Sequence, residues 1–280
     1  MIDRPRAKAQ ETTASANADI PYSSGSIASR RAFMVSSIAA LFGASQAQAS
    51  ENYPRSERYP YSFSPLEFLA EQEQLMLPKK TNRKALHTAF TIANAVADHA
   101  ADMTRIRLQD ALLRKYGSSA PLPSTKEALG RASRRQHLLE NYVEDIGNAI
   151  RVAGYRYQAA DFLSSAFADG QIETPFHLDC DLLTHLTLHV AAEHNMPLAA
   201  VPAPHHMYIG SFRFPQFAME MTNIGRGHLA TTHREQRKHN EEEGIRSRDP
   251  QDYRPCDDEY LKADIIRCLE FAAPQNVTHI

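Results

Sequence analysis

A cysteine between two aspartates opens an apolar run that could support nucleophilic catalysis. The triplet Asp-Cys-Asp occupies residues 179–181, and the run that follows has the spacing of a helix. A cysteine in the first turn of a helix has its thiolate stabilised by the positive end of the helix dipole and by backbone N–H groups. The same N–H groups can hold an oxyanion. Cys180 is therefore a candidate nucleophile with part of an oxyanion hole beside it.

A thiol nucleophile needs a base within hydrogen-bond reach and a third group that orients the base. His205 and His206 stand side by side at the start of a predicted strand, and Glu220 lies on the next strand candidate. Either histidine could serve as the base, and Glu220 could hold its ring. We expect neither aspartate beside Cys180 to touch the sulfur, because a nearby carboxylate raises the pKa of a thiol. Asp179 is expected to cap the helix instead.

A metal site is the second chemistry that this stretch offers. His185 and His189 form H-x-x-x-H, a spacing that can place two imidazoles on one metal. Glu193 or His194 could add a further ligand. At about 100° per residue the two histidines lie roughly 140° and 180° around the helix axis from Cys180, so they face away from the thiol. The simpler interpretation of these histidines is that they are partly exposed and hydrogen-bonded to nearby backbone. Cys180 has a simple alternative too, because a cysteine taken alone is more often a small buried hydrophobic residue than a nucleophile.

A helix and short strands must position these groups. The helix is predicted from Cys180 to His194, where Asn-Met-Pro stops it. Three short strand candidates follow, LAAVPA, HMYIGSFRF and FAMEMTN. Alternation in the second strand puts His206 on the same face as Tyr208.

The rest of the chain is predominantly helical. Apolar residues at helical spacing predict a long N-terminal helix that Thr81 caps and Gly117 ends. A second helical segment is predicted over residues 125–152 and a shorter one over 159–170. On the C-terminal side, REQRKHNEEEG predicts a surface loop or helix. DDEYLKADIIRCLEFA predicts an amphipathic helix, capped by an aspartate of the pair that opens it.

The stretch DCDLLTHLTLHVAAEHNMPLAAVPAPHHMYI resembles the core of the transglutaminase-like, papain-like superfamily. Members share an Asp-Cys-Asp helix start, a helix leading to a G/N-x-P-L turn, and a strand ending in Pro-x-His before an aromatic residue. The later FAMEMTN is similar to the strand that carries the family's acidic residue, and GYRYQAADFLSSAFADG resembles the segment that leads into the core. The resemblance covers roughly residues 150–225.

The resemblance implies an α+β fold in which the nucleophile helix packs on a small antiparallel sheet, with additional N-terminal helices. It implies Cys180 as nucleophile and Glu220 as orienting acid. It favours His206 as base, because His206 fits the Pro-x-His-x-aromatic pattern better than His205. Two departures stand out. Many members carry glycine at the position of His205, and the third member of the triad is often aspartate rather than glutamate.

The patterns divide the chain into five parts. These are a twin-arginine signal peptide over residues 1–49, a poorly ordered leader over 50–80, an N-terminal helix and linker over 81–124, the transglutaminase-like core over 125–235, and a polar loop with a C-terminal helix over 236–280.

The prediction of a signal peptide rests on paired arginines before an apolar run. Arg30 and Arg31 precede a mildly apolar stretch that ends in a small-x-small site at Ala49. That stretch is far shorter than the roughly 20 residues needed to span a bilayer. We expect export by the twin-arginine machinery and a soluble periplasmic protein; the alternative is a disordered tail with an amphipathic patch. The formal net charge of −2 gives no reason to expect a nucleic-acid or membrane-surface partner.

Three cysteines make no disulfide scaffold. In an oxidising compartment Cys256 and Cys268 could pair, which would leave Cys180 as the odd thiol. Their spacing neither requires nor forbids a bridge.

The sequence therefore predicts an exported cysteine peptidase or amidase that acts through a thioester on Cys180. Its substrate would be a protein, a peptide or a smaller amide, and it would need no cofactor and no metal. Hydrolysis is favoured over transfer to an amine, because water far exceeds free amines. An interaction domain that keeps the fold with an impaired triad is the alternative, and a histidine-rich metal-binding protein is the third possibility.

Overall fold

The fold mixes α-helices with short strands, so the α+β class expected from the sequence is confirmed. The computed structural model describes residues 58–158, 162–167, 176–225, 229–247, 249 and 251–272. The predicted signal peptide lies outside these residues. Among them, no helix is both long enough and apolar enough to cross a membrane.

The helices follow the predicted order, with more breaks than the sequence indicated. In chain order they are α1 (Pro65–Met76), α2 (Arg83–Tyr116), α3 (Thr125–Ala132), α4 (Gln136–Val152), α5 (Leu163–Ala166), α6 (Cys180–Glu193), α7 (His233–Glu242) and α8 (Asp258–Ala272). Short 3-10 turns occupy Gly117–Ser119 and Met221–Asn223. The single helical segment predicted over residues 125–152 is thus two helices, and the helix predicted over 159–170 is one turn within its described part.

Helix α1 corrects the prediction of a poorly ordered leader over residues 50–80. Ser64 caps the helix by accepting a hydrogen bond from the N–H of Glu67, and Pro65 takes the first position, where its missing N–H costs nothing. Leu66 and Leu69 then bury themselves in the core. The prediction relied on the Pro-, Ser- and Tyr-rich composition and overlooked that Ser64 and Pro65 together form a helix start.

Helix α2 is one unbroken helix of 34 residues. Its cap is Asn82 rather than the predicted Thr81, since the Asn82 side chain accepts hydrogen bonds from the N–H groups of Lys84 and Ala85. The hydroxyl of Thr81 instead donates to carbonyls at the end of α1. Gly117 ends the helix with a φ of 67°, a conformation that glycine adopts without strain.

An ion pair joins α2 to α4. The guanidinium of Arg107 donates to both carboxylate oxygens of Asp145, at 2.8 and 3.1 Å. The Asp145 side chain is 1% exposed, whereas that of Arg107 is 43% exposed. Burial raises the pKa of Asp145, and the neighbouring Arg107 only partly opposes that effect.

The strands form two small sheets. One pairs β1 (Tyr155–Tyr157) in parallel with β2 (Phe176–Leu178). The other is antiparallel in the order β3 (Ala199–Ala203), β4 (His206–Gly210), β5 (Ala218–Met219) and β6 (Ala230–Thr231). The strand predicted in FAMEMTN is therefore only two residues long before the chain turns into a 3-10 helix. Helix α6 packs against β4.

A two-residue turn connects β3 to β4. Ala203 pairs with His206 across the hairpin, which leaves Pro204 and His205 as the loop. His205 has a φ of 60°, in the left-handed region that costs a residue with a Cβ roughly 1–2 kcal/mol. At the other end of β4, a Cβ on Gly210 would lie 2.4 Å from Cγ2 of Val201, so only glycine fits there.

The outer edge of β3 is covered by residues near both ends of the described chain. The N–H of Cys256 donates to the carbonyl of Ala200, and that of Tyr253 donates to the carbonyl of Pro202. The hydroxyl of Tyr61 accepts from the N–H of Ala200 at 2.8 Å and donates to the carbonyl of Cys256 at 3.1 Å. The strand edge is thereby satisfied and closed to further pairing.

The cysteines, all within the described residues, form no disulfide. Cys256 is fully buried beside Tyr61, whereas Cys268 lies on α8, half-buried, with its sulfur 3.9 Å from a carboxylate oxygen of Asp181. The possible bridge between Cys256 and Cys268 is thus absent, because the two side chains pack against different partners.

Candidate active site

Cys180 is the first residue of α6, as the sequence predicted. Asp179 caps the helix, with its Oδ1 accepting from the N–H of Leu182 at 3.0 Å. Burial, together with the nearby charge of Asp181, raises the pKa of Asp179. The Cys180 side chain is half-buried at the positive end of the helix dipole, so the element expected to hold the nucleophile is in place.

Asp181 corrects one expectation. Its Oδ1 lies 3.4 Å from Sγ of Cys180, within sulfur hydrogen-bond distance, although no carboxylate was expected on the thiol. Both residues stand in the first turn of the helix, and the Asp181 side chain folds back over that turn. A thiol that donates to a carboxylate is held in its protonated form. The contact therefore opposes the effect of the helix dipole on Cys180.

His206 and Glu220 form a direct pair. Nε2 of His206 lies 2.5 Å from Oε2 of Glu220 across the start of β4 and the end of β5. The Glu220 side chain is 8% exposed and that of His206 is 20% exposed, so water has little access to the bond. A carboxylate at Nε2 makes this nitrogen the donor and leaves Nδ1 as the basic nitrogen of a neutral ring.

Among the described residues, three hold the carboxylate of Glu220. Its Oε1 accepts from the N–H and the hydroxyl of Thr222, at 3.0 and 2.7 Å. Its Oε2 accepts from His206 and from the side-chain amide of Gln236, the latter at 3.2 Å. Burial works to raise the pKa of Glu220, but the hydrogen bonds and charge of His206, with the bonds from Thr222, outweigh it and lower the pKa. The carboxylate is therefore ionised and fixed in place.

His205, the rival base, belongs to the hairpin turn. Pro204 fixes its own φ, and His205 supplies the positive φ that the turn requires, the position where glycine is the usual residue. The described hydrogen bond to Glu220 belongs to His206, so the predicted base and the predicted acid are the pair that the structure joins.

Helix α6 meets β4 close to His206. The hydroxyl of Thr184, one helical turn after Cys180, donates to the carbonyl of Met207 at 3.3 Å. Met207 is the residue after His206, so the first turns of α6 lie beside the first residues of β4. The structure thus joins His206 to Glu220 directly and brings Cys180 to the same end of the sheet through the contact between Thr184 and Met207.

A second series of hydrogen bonds lies on the same face of β4 as His206. Tyr208 lies two residues on, with its ring roughly parallel to that of His206 at 6.2 Å between centroids. Its hydroxyl lies 2.7 Å from Nδ1 of His233, and Nε2 of His233 lies 3.1 Å from the carbonyl of Pro215. The Pro215 carbonyl can only accept, so His233 donates from Nε2 and accepts from Tyr208. Helix α7, which carries His233 and Gln236, is thereby fixed against the site.

The histidines of α6 are not the partly exposed side chains that the sequence favoured. His185 and His189 are 1% and 2% exposed. Nδ1 of His189 bonds to the hydroxyl of Ser64 at 2.8 Å, and Nδ1 of His194 bonds to the hydroxyl of Tyr142 at the same distance. In the described part of the chain the predicted H-x-x-x-H pair does not form a metal-ligand group.

Sequence reasoning missed the residues that hold the acid. Gln236 lies in a polar stretch that predicted only surface, and Thr222 lies where the sequence predicted a strand. Glu220 caps the 3-10 turn by accepting from the N–H of Thr222, but glutamate is not among the residues usually found at an N-cap, so the sequence carries no clear signal for this turn. It carries none for Gln236 either, because that contact depends on how α7 docks.

Comparisons with known proteins give no relative: no protein-family model, no curated protein and no solved structure matches the chain.

Proposed function

We propose that the protein is a cysteine hydrolase of the transglutaminase-like, papain-like type, with Cys180 as nucleophile, His206 as base and Glu220 as the acid that orients it. The bond between His206 and a buried, triply held Glu220 carries this assignment. An isolated surface histidine would not need such a partner. The α6 start, with its backbone N–H groups, supplies the matching half of the site.

The chemistry is acyl transfer in two halves. Nδ1 of His206 takes the proton of the Cys180 thiol, and the thiolate attacks the carbonyl carbon of an amide, forming a C–S bond. The C–N bond then breaks, and the imidazolium gives its proton to the leaving amine. In the second half, water loses a proton to His206 and attacks the thioester, which restores the thiol and releases the acid. Glu220 stabilises the imidazolium in both halves and remains ionised.

The role of base is tested by the pH profile of Cys180 alkylation. We expect iodoacetamide to modify Cys180 well below about pH 8, because a thiolate paired with imidazolium persists there. His206→Ala should slow the reaction at low pH by at least about tenfold, since the thiolate loses its counter-ion. Peptide mapping by mass spectrometry measures the site and the rate.

His205→Gly is the matched control for this experiment. It removes an imidazole one residue away and relieves the positive φ of the turn, so alkylation of Cys180 should keep the wild-type pH profile. If His205→Gly loses the low-pH reaction and His206→Ala keeps it, the base is His205. If Cys180 of the unaltered protein reacts only as an ordinary thiol, the catalytic assignment fails.

One observation favours a second function, an interaction domain that keeps this fold without catalysis. Oδ1 of Asp181 lies 3.4 Å from the sulfur of Cys180, a contact that favours the protonated thiol over the thiolate. Such a protein would show ordinary thiol reactivity at Cys180, so the alkylation profile separates the two functions.

We further propose export to the periplasm through the twin-arginine route. The support is in the sequence, where Arg30 and Arg31 precede a short apolar run ending at Ala49. The mature N-terminus should begin at Ser50, and replacing both arginines with lysine should leave the uncleaved chain inside the cell. Fractionation with N-terminal sequencing measures both, and an uncut chain in the cytoplasm of unaltered cells would contradict export.

A further inference from the structure

A carboxylate and a thiol on α8 face a carboxylate on α6. Asp264 and Cys268 lie one helical turn apart on α8, and Asp181 meets them from the start of α6. One ligand atom from each of the three lies within 4.8 Å of the other two. Cys268 and Asp181 are half-buried and Asp264 is buried, so the cluster is reachable from solvent on one side.

A buried imidazole lies beside this cluster. His185 follows Asp181 by one turn on the same face of α6, and it is 1% exposed. Among the described residues neither Nδ1 nor Nε2 of His185 finds a hydrogen-bond partner. A buried polar group without a partner costs about 1–3 kcal/mol, so a ring left in this condition calls for an explanation.

The course of the two helices sets His185 and Asp264 one turn each from the contact between Asp181 and Cys268. At one end, Asp181 at the start of α6 meets Cys268 near the end of α8. At the other end, the first residue of α8, Asp258, bonds to Ser62, and Ser64 bonds to His189 near the end of α6. The two helices therefore run in opposite directions, and one turn along α6 from Asp181 to His185 corresponds to one turn back along α8 from Cys268 to Asp264.

We propose that Asp181, Asp264, Cys268 and His185 bind a thiophilic divalent cation of the Zn²⁺ type. One thiolate, one imidazole and two carboxylates form a four-ligand set of the kind that zinc takes. Tetrahedral ligand atoms around zinc lie about 3.5 Å apart. The atoms of Asp181, Asp264 and Cys268, within 4.8 Å of one another, need only small side-chain movements to reach that spacing, and the ring of His185 must turn to join them. The Cys268 thiol releases its proton to solvent when the metal binds, and no electron is transferred.

A divalent cation suits the charge of the ligand set. It adds positive charge to two carboxylates beside Cys268, of which Asp264 also has the guanidinium of Arg267 3.7 Å away. The site borders the proposed active site, because Asp181 contacts the sulfur of Cys180 through Oδ1 and that of Cys268 through Oδ2.

The test is a titration of chelator-treated full-length protein with Zn²⁺, and with Co²⁺ as a spectroscopic probe. We expect one equivalent of metal, and a thiolate-to-cobalt charge-transfer band that shows a sulfur ligand. Cys268→Ala should abolish the band and weaken zinc binding by at least about tenfold, and Asp264→Asn and His185→Gln should weaken it too. Calorimetry measures the affinities, and circular dichroism confirms that each variant folds.

Two control variants separate this site from the catalytic one. Cys180→Ala removes the proposed nucleophile and should keep the bound metal and its band, and Cys256→Ser removes a thiol that lies elsewhere. Metal binding that requires Cys180 and survives Cys268→Ala would place the ion on the catalytic pair and overturn the proposal, as would the absence of stoichiometric binding. Unchanged binding in His185→Gln would remove His185 from the ligand set. Cys180→Ala cannot act as a hydrolase, so metal binding by this variant is measured independently of whether the proposed catalytic function is correct.

Discussion

Glu220→Gln should slow the alkylation of Cys180 at low pH by roughly 10- to 150-fold, the equivalent of the 1.5–3 kcal/mol that a hydrogen bond to a charged group contributes. The hydrogen-bond partners of the Glu220 carboxylate within the described residues are all donors: Thr222 donates twice to Oε1, and His206 and Gln236 donate to Oε2. A glutamine amide must point its own NH₂ group at one of these pairs.

The backbone N–H of Thr222 cannot turn away, so the amide oxygen stays with Thr222 and the NH₂ group faces His206. Nε2 of His206 must then accept rather than donate, which moves the ring proton to Nδ1. A ring in that tautomer cannot take the thiol proton. A substitution that hardly changes the shape of the side chain thus removes the basic nitrogen facing the thiol while the histidine itself remains.

The measurement is the rate of iodoacetamide modification of Cys180 against pH, in the wild type and the variant. Gln236→Ala is the matched control, because it removes one neutral donor from Oε2 and leaves the charge, and a loss of only a few-fold is expected. Wild-type reactivity in Glu220→Gln at low pH would show that the carboxylate does not orient the base.

The lowered pKa of Glu220 adds a pH dependence to the same site. The folded protein holds the carboxylate ionised at a pH where the unfolded chain would begin to protonate it. Its contribution to stability is therefore fully present above the unfolded pKa and is lost as the pH falls through the folded pKa. Low-pH alkylation should decline over the same range, because protonated Glu220 no longer stabilises imidazolium.

Arg107→Ala should lower the free energy of unfolding by about 3 kcal/mol, the low end of the cost of breaking a buried ion pair. The substitution leaves the carboxylate of Asp145, 1% exposed, without the guanidinium that grips both of its oxygens. The low end applies because the Arg107 side chain is 43% exposed, and water can enter where it stood.

The pH dependence of this loss has a definite sign. Burial already raises the pKa of Asp145, and removing Arg107 raises it further. A protonated carboxyl needs no counter-ion, so the destabilisation should shrink as the pH falls through that raised pKa. Urea unfolding at several pH values measures it.

Arg105→Ala is the control for this second prediction. Arg105 pairs with Asp102 at 3.6 Å on the surface of the same helix, with side chains 35% and 65% exposed, and its loss should cost less than about 1 kcal/mol. If the two variants lose the same free energy of unfolding, the ion pair between Arg107 and Asp145 contributes no more to stability than a surface pair.

The sequence predicted well the features that depend on neighbouring residues. The start of α6 at Cys180, its end near His194 and the start of β4 at His206 all follow from local pattern, as does the capping role of Asp179. The positive φ of His205 has a local cause too, because Pro204 and His205 form a two-residue hairpin loop whose second residue takes a positive φ.

The missed features depend on contacts between residues distant in sequence. Gln236 reaches Glu220 only because α7 docks beside β5, and no period in the sequence specifies that docking. His185 is buried because α6 packs against α1, α2 and β4, and the pattern of α6 alone does not show these contacts. The contact between Asp181 and Cys180 depends on the side-chain rotamer of Asp181, which the sequence pattern does not determine.

Tyr61 also sets an order of events in folding. Its hydroxyl bonds to Ala200 and Cys256, partners that follow it by 139 and 195 residues. Loops of that length close slowly, and they cannot close until both partners have left the ribosome. The edge of β3 therefore stays open until the segment around Cys256 has emerged and docked.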